Sequence, residues 1–472
     1  MKTQYIYIKL IVVFLALGLY GCESEEDFLE SDFNGVTTVG KVEDFSLLLN
    51  STDITGSGSF TGVYPMAVMS DNVTFAVPNL RGLEPALFEA HSWEEYIYPR
   101  GTDPSAWTAS YKKIFIYNTV LNEIEMASDA NEPENIEKVK ELKAEALLGR
   151  AYEHLLVANL FAQPYSAANA SKPGIPYVMH ADITIDTPSR ETLDDTYSKI
   201  EADLLQAITN LPDENFKGNT RGSKMGAYGT LARMYLYKQN YIKVAEYTEK
   251  ALNINSNYQD YTAPTFFALQ TPSANNPDNV YSRAIAVGNL FFNASPSTDL
   301  VNLFKLPFPF PSNPGLLGLY DARVNLYFIN IGRFVYGTSF FFVDHGISTP
   351  ELILTRAEAL ARENQLTEAL QLLNDFRKKR IKTILGPFPF PLFSTDKEQV
   401  INWVLEERRK EVANKGLRFS DMRRLQLEGR IGTVTHDLGN GNMVTLDEGS
   451  PRYTLAIPRT VIDETGMEQN PR

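Results

Sequence analysis

Residues Ser223–Ile254 read SKMGAYGTLARMYLYKQNYIKVAEYTEKALNI, and this stretch decides the fold. Ser223–Gln239 and Tyr241–Ile254 each carry apolar residues at spacings of three and four, the mark of amphipathic helices. They are joined by the short break Lys238–Gln239–Asn240. The same design returns later, with Pro350–Arg362 and Leu366–Lys382 broken at Asn364. Ala232, Tyr235, Tyr241, Val244, Thr248 and Ala251 align at one constant offset with Ala357, Leu360, Leu366, Ala369, Leu373 and Phe376. Small residues let two helices approach and larger ones fill the groove, the logic of a tetratricopeptide-type hairpin.

Outward from these pairs, further helices are predicted. Ala106–Ser128 places Trp107, Tyr111, Ile114, Phe115, Asn118, Leu121 and Ile124 on a helical period. Glu134–Phe161 is a long run of helix formers stopped near Pro164, and Leu193–Leu211 has Thr192 as N-cap and Pro212 as stop. Asp396–Asn414 closes the series at Lys415–Gly416. Residues 259–349 and 59–104 are different: Pro, Gly, Asn and aromatic residues dominate, which favours loops and short strands. The expected fold class is therefore all-α dominated, a tetratricopeptide-like helical-repeat domain with a loop-rich, irregular lobe. The repeats are expected mainly over 106–255 and 350–427, with loop-rich insertions at 59–104 and 259–349, all within one domain spanning 36–472.

The N-terminus reads as an export signal. Lys2 and Lys9 precede the apolar run Leu10–Tyr20, and Gly21 stands before Cys22, the single cysteine of the 472 residues. The run is about half the ~20 residues a membrane-spanning helix needs. Leu19 three positions before Cys22 resembles a bacterial lipobox, with Tyr20 bulkier than usual. Residues 1–21 are thus expected to be removed and Cys22 to carry lipid, followed by an acidic tether over 22–35 that begins Glu23–Ser24–Glu25–Glu26–Asp27. Such an acidic patch resembles the surface-export signal of Bacteroidetes-type lipoproteins, and it also serves as a solvated spacer.

Composition narrows the function classes. Net charge is −14, and removing Lys2 and Lys9 with the leader makes it −16. That balance argues against nucleic acid as partner, because phosphate binding rests on Lys/Arg clusters. One cysteine allows neither an intramolecular disulfide nor a Cys-based metal site. The five histidines (His91, His154, His180, His345, His436) show no paired ligand spacing, and neither a nucleophile elbow nor a phosphate loop occurs. No catalytic residue, cofactor or metal is expected. A carboxylate pair of glycosidase type could form by folding alone, yet nothing in the sequence singles one out.

Several separated blocks carry a family resemblance. Asp71–Asn72 resembles a recurrent acid–Asn pair, and Trp107 to Leu121 a first helix. Lys143–Ala146, Arg150–Tyr152 and Asn159–Phe161 follow, then Pro173–Pro176 and Leu354–Ala361 (LTRAEALA). The most specific block is Glu406–Leu425, EERRKEVANKGLRFSDMRRL, before Pro458 and Asn470–Pro471. Together these resemble the SusD/RagB family of outer-membrane nutrient-uptake lipoproteins. Departures are Asn414–Lys415 before Gly416, Phe419 where Trp is common, and Ala322 between Asp321 and Arg323. The resemblance implies four tetratricopeptide-like pairs capped by a loop-rich lobe. It also implies a lipid-anchored, non-enzymatic protein at the cell outer membrane. Such a protein binds an oligosaccharide or other nutrient and works with a SusC-like TonB-dependent transporter. The charged block itself reads as an ion-pair network that locks the C-terminal helix onto the fold.

For ligand contact, the informative residues are loop aromatics. A flat ring covers the C–H face of a sugar while polar side chains fix its hydroxyl rim. Trp93, Tyr96 and Tyr98 cluster in a stretch without core periodicity, and Tyr96 and Tyr98 would share a face in strand geometry. In the family this region helps form the ligand face. Asp71 and Asn72 are candidates for the polar rim, with a turn-forming role as the other reading. Trp107 and Trp403 are expected in the core. The Pro–Phe runs Pro307–Pro311 and Pro387–Pro391 point to extended chain facing ligand, transporter or core. Three alternatives stand beside glycan binding: peptide cargo, a protein-interaction scaffold of the same complex, and a surface hydrolase.

Overall fold

A computed structural model describes residues 40–55, 63–182, 184–185, 187–215, 218–263, 276–286, 294–304, 321–330, 334–336, 342–382, 391–413 and 415–472. Cys22, the leader, the acidic tether and both Pro–Phe runs except Pro391 lie outside these residues. So do Phe266, Phe267, Phe291, Phe292, Tyr320, Phe340 and Phe341.

Among the described residues the helices of seven residues or more are α1 Val42–Leu49, α2 Val63–Met69, α3 Pro85–His91, α4 Ser105–Glu123, α5 Ile136–Phe161, α6 Leu193–Ile208 and α7 Lys224–Tyr237. They continue with α8 Tyr241–Ile254, α9 Thr349–Arg362, α10 Leu366–Lys378, α11 Lys397–Glu411, α12 Arg418–Leu425 and α13 Arg459–Thr465. Each of α4 to α9 packs on the next, and α9 also packs on α10 and α11, giving the layered helical array the periodicity predicts. Thr192, Ser223 and Asp396 cap α6, α7 and α11 through side-chain oxygens that accept backbone N–H bonds.

α5 is the central helix. Every residue from Ala144 to Phe161 is buried, although Glu145, Arg150, Glu153, His154 and Asn159 are polar. Its neighbour α4 comes close because position 149 is glycine: a Cβ there would lie 2.2 Å from the Tyr117 ring. The largest apolar cluster draws on residues from Met66 to Ile457, so segments far apart in sequence share one interior.

The two repeat hairpins turn by the same device. Gln239 and Asn364 occupy equivalent positions, with φ of 56° and 62°. Asn240 N–H bonds Tyr235 O and Gln365 N–H bonds Leu360 O, closing the same six-residue loop at each helix end.

The irregular lobe is made of paired two-stranded ribbons. β1 Val73–Phe75 pairs with β4 Ala294–Pro296, β2 Asn279–Tyr281 with β8 Ile347–Ser348, and β3 Ala284–Ala286 with β7 Phe342–Asp344. β5 Phe328–Asn330 pairs with β6 Phe334–Tyr336, and β9 Val434–Asp437 with β10 Met443–Leu446, all antiparallel. The stretch 63–104, expected as loop, contains α2, β1 and α3, whose apolar sides join the main core. These elements are too short to show a helical or strand period in sequence.

The charged block is buried, as its spacing suggests. Arg408 donates to Asp421 at 2.9 Å, and Arg424 clasps Glu358 at 2.6 and 2.8 Å. Arg323 reaches Asp321 at 2.7 Å and Glu407 at 2.6 Å, while Arg380 holds Glu411 and Arg233 holds Glu351. Such pairs fix how α9, α11 and α12 dock, since losing one partner strands a buried charge. Trp107 is buried in the core and Trp403 packs half-buried between α9, α10 and α11. No helix among the described residues is long and apolar enough to cross a membrane.

Candidate functional site

The turn after α2 places Asp71 and Asn72 beside the C-terminal block. Arg418 of α12 grips the Asp71 carboxylate with two bonds of 2.7 Å, and Arg409 of α11 donates to Asn72 Oδ1 at 2.8 Å and to Asp71 O at 3.1 Å. Burial pushes the Asp71 carboxyl up, but Arg418 and Arg409 outweigh it and hold the group below its ordinary range. Asn72 is buried, and its backbone oxygen accepts from Ser297 N–H. The pair therefore acts as the turn that joins two ends of the chain. Asp71 still lines a polar cleft of ≈440 Å³ with Thr74, Arg409, Arg430, Thr433 and His436.

Trp93 does not present its ring to solvent, and the expectation of a surface platform is corrected on that point. It is 0% exposed. It follows α3 with φ of 52°, and Glu94 N–H bonds Glu89 O in the loop-closing manner of the repeat hairpins. That reversal sends the indole inward, where Nε1–H donates to Met69 O at 3.0 Å. The ring stacks on His436 at 4.0 Å, and His436 stacks in turn on His91 at 4.0 Å. Burial, together with the neighbouring His436, pulls the His91 imidazole down to about 3.

Tyr98 is also structural. Its hydroxyl accepts from Ala106 N–H at 2.9 Å, supplying a partner that the first turn of α4 lacks. Bends at Glu95, Ile97 and Tyr98 replace the strand geometry, so Tyr96 and Tyr98 are not brought onto one face. The aromatic trio expected to act together is thus split between core, helix end and surface.

Tyr96 is the member that lines an open cleft, of ≈480 Å³, with Glu95, Arg100, Arg459, Asp463 and Gln469. The Arg459 guanidinium lies over the Tyr96 ring at 3.8 Å from its centre, a cation–π contact. Arg100 and Asp463 face each other at 3.9 Å on the rim. Gln469 is held by a reciprocal pair of bonds with the Ile457 backbone at 2.7 and 2.8 Å. An aromatic wall with amide, carboxylate and guanidinium groups around it can stack on one face of a ring and hydrogen-bond its hydroxyls. Arg459, Asp463 and Gln469 were not found from sequence because they lie more than 360 residues from Tyr96. Pro458, at the start of α13, and Asn470–Pro471, next to Gln469, mark their location. Among the described residues no group of His, Cys, Asp or Glu is arranged to hold a metal ion.

Comparison with known proteins agrees with this architecture. A SusD-like family described as "Starch-binding associating with outer membrane" matches residues 60–236, and the SusD family matches residues 349–466. A SusD-like protein of Formosa agariphila is 29% identical over 124 residues, which is 25% of this chain and 24% of that protein. The match thus spans about a quarter of that relative's length. Among solved structures, a Bacteroides vulgatus protein superposes with TM-score 0.72 at 19% identity, over 92% of this chain and 99% of that one. A SusD superfamily protein from Bacteroides thetaiotaomicron gives 0.70 at 20% identity, over 92% and 100%. A SusD-like carbohydrate binding protein from Bacteroides vulgatus gives 0.66 at 16% identity, over 90% and 97%. The two family matches cover more than half the sequence and fall on both halves of the helical array, and the chain belongs to the SusD/RagB family.

Proposed function

We propose that this chain is a carbohydrate-binding lipoprotein of the bacterial outer membrane, tethered through Cys22 and exposed at the cell surface. On this reading it takes an oligosaccharide and delivers it to a SusC-like TonB-dependent transporter. The family match supports membrane association and starch-type ligands, in the words of its description. The observation that carries the reading is the Tyr96 cleft, where an aromatic ring meets Arg100, Asp463 and Gln469 in one open space. That combination suits a sugar better than an extended peptide. A peptide would look for a free strand edge or a continuous apolar groove.

The chemistry is binding and release. A sugar packed against the Tyr96 ring and the Arg459 guanidinium stacked on it gains dispersion and C–H contact over its apolar face, while the rim groups replace water at its hydroxyls. The test is calorimetric titration of a glycan panel, with peptides as controls, into the lipid-free fragment starting after Cys22. Saturable glycan binding without product formation supports the reading. Binding of peptides alone, or release of cleaved sugar, sinks it.

A further inference from the structure

A second polar cluster lies inside the molecule, where α4 and α5 meet the β2–β8 and β3–β7 ribbons at the connections that carry Arg283 and His345. Lys113 of α4 and Glu153 of α5 are 1% and 0% exposed, yet their nearest N···O separation is 3.5 Å. A closed charge-assisted bond is 2.7–2.9 Å. Neither Lys113 Nζ nor either carboxylate oxygen of Glu153 has a hydrogen-bond partner among the described residues. The same holds for Ser110 Oγ one turn earlier on α4, for Arg283 Nε, and for His345 Nε2. The other atoms of these residues are engaged. Arg283 donates to Thr220 O, Ser282 O and Tyr117 Oη, and His345 Nδ1 pairs with Tyr152 Oη at 2.8 Å. Tyr117, one turn from Lys113 on α4, and Tyr152, next to Glu153 on α5, tie Arg283 and His345 to the same two helices.

The mixture of unpaired groups limits what can satisfy them. Lys113 Nζ and Arg283 Nε only donate, and the Glu153 oxygens only accept. An anion would be repelled by Glu153 and a metal cation by Lys113 and Arg283. The species that donates to one side and accepts from the other is water, which typically makes about three bonds in such sites. At 3.5 Å the pair leaves no room for water on the direct line, but a molecule beside it can bond both ends. Burial pulls the Lys113 ammonium down, with Glu153 offsetting it. Next to this cluster, Tyr152, Arg233 and His345 also line a small cavity of ≈20 Å³, about the room one water requires.

We propose that Lys113, Glu153, Arg283 and His345 form an internal water-binding site that joins the helical array to the β-ribbon lobe. The bound water completes the hydrogen bonds of both layers and makes the seam between them polar and ordered. Two measurements test this. Crystals of the protein at a resolution that shows ordered water are expected to contain a molecule within hydrogen-bond distance of both Lys113 Nζ and Glu153. A directly closed Lys113–Glu153 bond with no water, or density for an ion, overturns the proposal. Independently, oxygen-17 relaxation dispersion in solution counts long-lived internal waters. The Lys113→Met/Glu153→Met double variant, which removes both charges together, is expected to hold at least one fewer than the parent. An equal count overturns the proposal. If the double variant does not fold, the crystals of the parent still decide.

Discussion

Asp71 and Arg418, 347 residues apart in the chain, close a two-pronged ion pair with both bonds at 2.7 Å. This contact ties the turn after α2 to α12, and Arg409 reinforces it from α11 at 3.3 Å. Both partners are largely buried, with 15% and 8% of their side chains exposed, so removing Arg418 leaves the Asp71 carboxylate with Arg409 as its remaining cation. Arg418→Met is expected to lower unfolding free energy by about 3 kcal/mol, the lower end for a broken buried pair. Arg418→Lys should recover little, because a point charge cannot make the forked contact. Urea midpoints for the three proteins check this, and an unchanged midpoint in Arg418→Met would show that the pair fixes nothing.

Acid sensitivity should begin near neutral pH, and a buried histidine is the reason. His154 sits flat on Tyr177 at 3.8 Å; its Nδ1–H donates to Arg150 O, and its Nε2 accepts from Val178 N–H. That pattern requires the neutral ring. Burial pulls the imidazole down to about 3, and Arg150 adds to the shift. With the folded value below the unfolded ~6.5, the unfolded state binds the proton first. Stability is then fully present above about 6.5 and falls as pH drops toward 3, by about tenfold in the folding constant per pH unit. His91, also down to about 3, adds in the same direction. His154→Gln should flatten the slope of stability between pH 6 and 4, and denaturation curves across that range would expose a failure. Asp421, pushed up by burial but held down to about 2 by Arg408 and Arg424, acts only in stronger acid, below about pH 4.

The repeat hairpins offer a local backbone test. Asn364 is exposed and turns the chain at φ of 62°. A β-branched residue there meets its own backbone, at a cost of about 1–2 kcal/mol. Asn364→Val is therefore expected to be destabilised by that amount and Asn364→Gly to be unchanged or slightly more stable. A thermal melt that ranks Val equal to Gly would contradict the left-handed turn.

The helices legible in sequence are those long enough to show their period, such as Leu193–Ile208, whose cap Thr192 and whose extent were both readable within a few residues. The burial of the charged block was also readable, from i, i+3 and i, i+4 spacing around Arg408 and Asp421. What local sequence could not carry was long-range partnership. Trp93 looked like a loop aromatic because no periodicity surrounds it. Its burial depends on His436, 343 residues later, and on a left-handed backbone that nothing in Ser92–Trp93–Glu94 announces. Asp71 likewise reads as a turn residue until Arg418 is placed beside it. Tyr96 kept its place at a surface cleft, but the groups around it come from α13 and the C-terminal segment.

That separation of roles yields a test of the binding site. Tyr96 is half-buried in an open cleft, whereas Trp93 is enclosed between His436 and the α2 backbone. Tyr96→Ala removes the stacking surface and is expected to weaken glycan binding about tenfold, equivalent to about 1.4 kcal/mol, with little change in stability. Tyr96→Phe keeps the ring and should stay near the parent. Trp93→Phe loses the bond from Nε1 to Met69 O and leaves a buried acceptor unpaired, at a cost of about 1–3 kcal/mol in stability. Its glycan affinity, measured where the protein is fully folded, should be unchanged. Titration calorimetry and urea unfolding on the same preparations separate the two effects. If Trp93→Phe loses affinity while Tyr96→Ala keeps it, the ligand lies on the Asp71–His436 side of the segment, and the Tyr96 cleft is not the site.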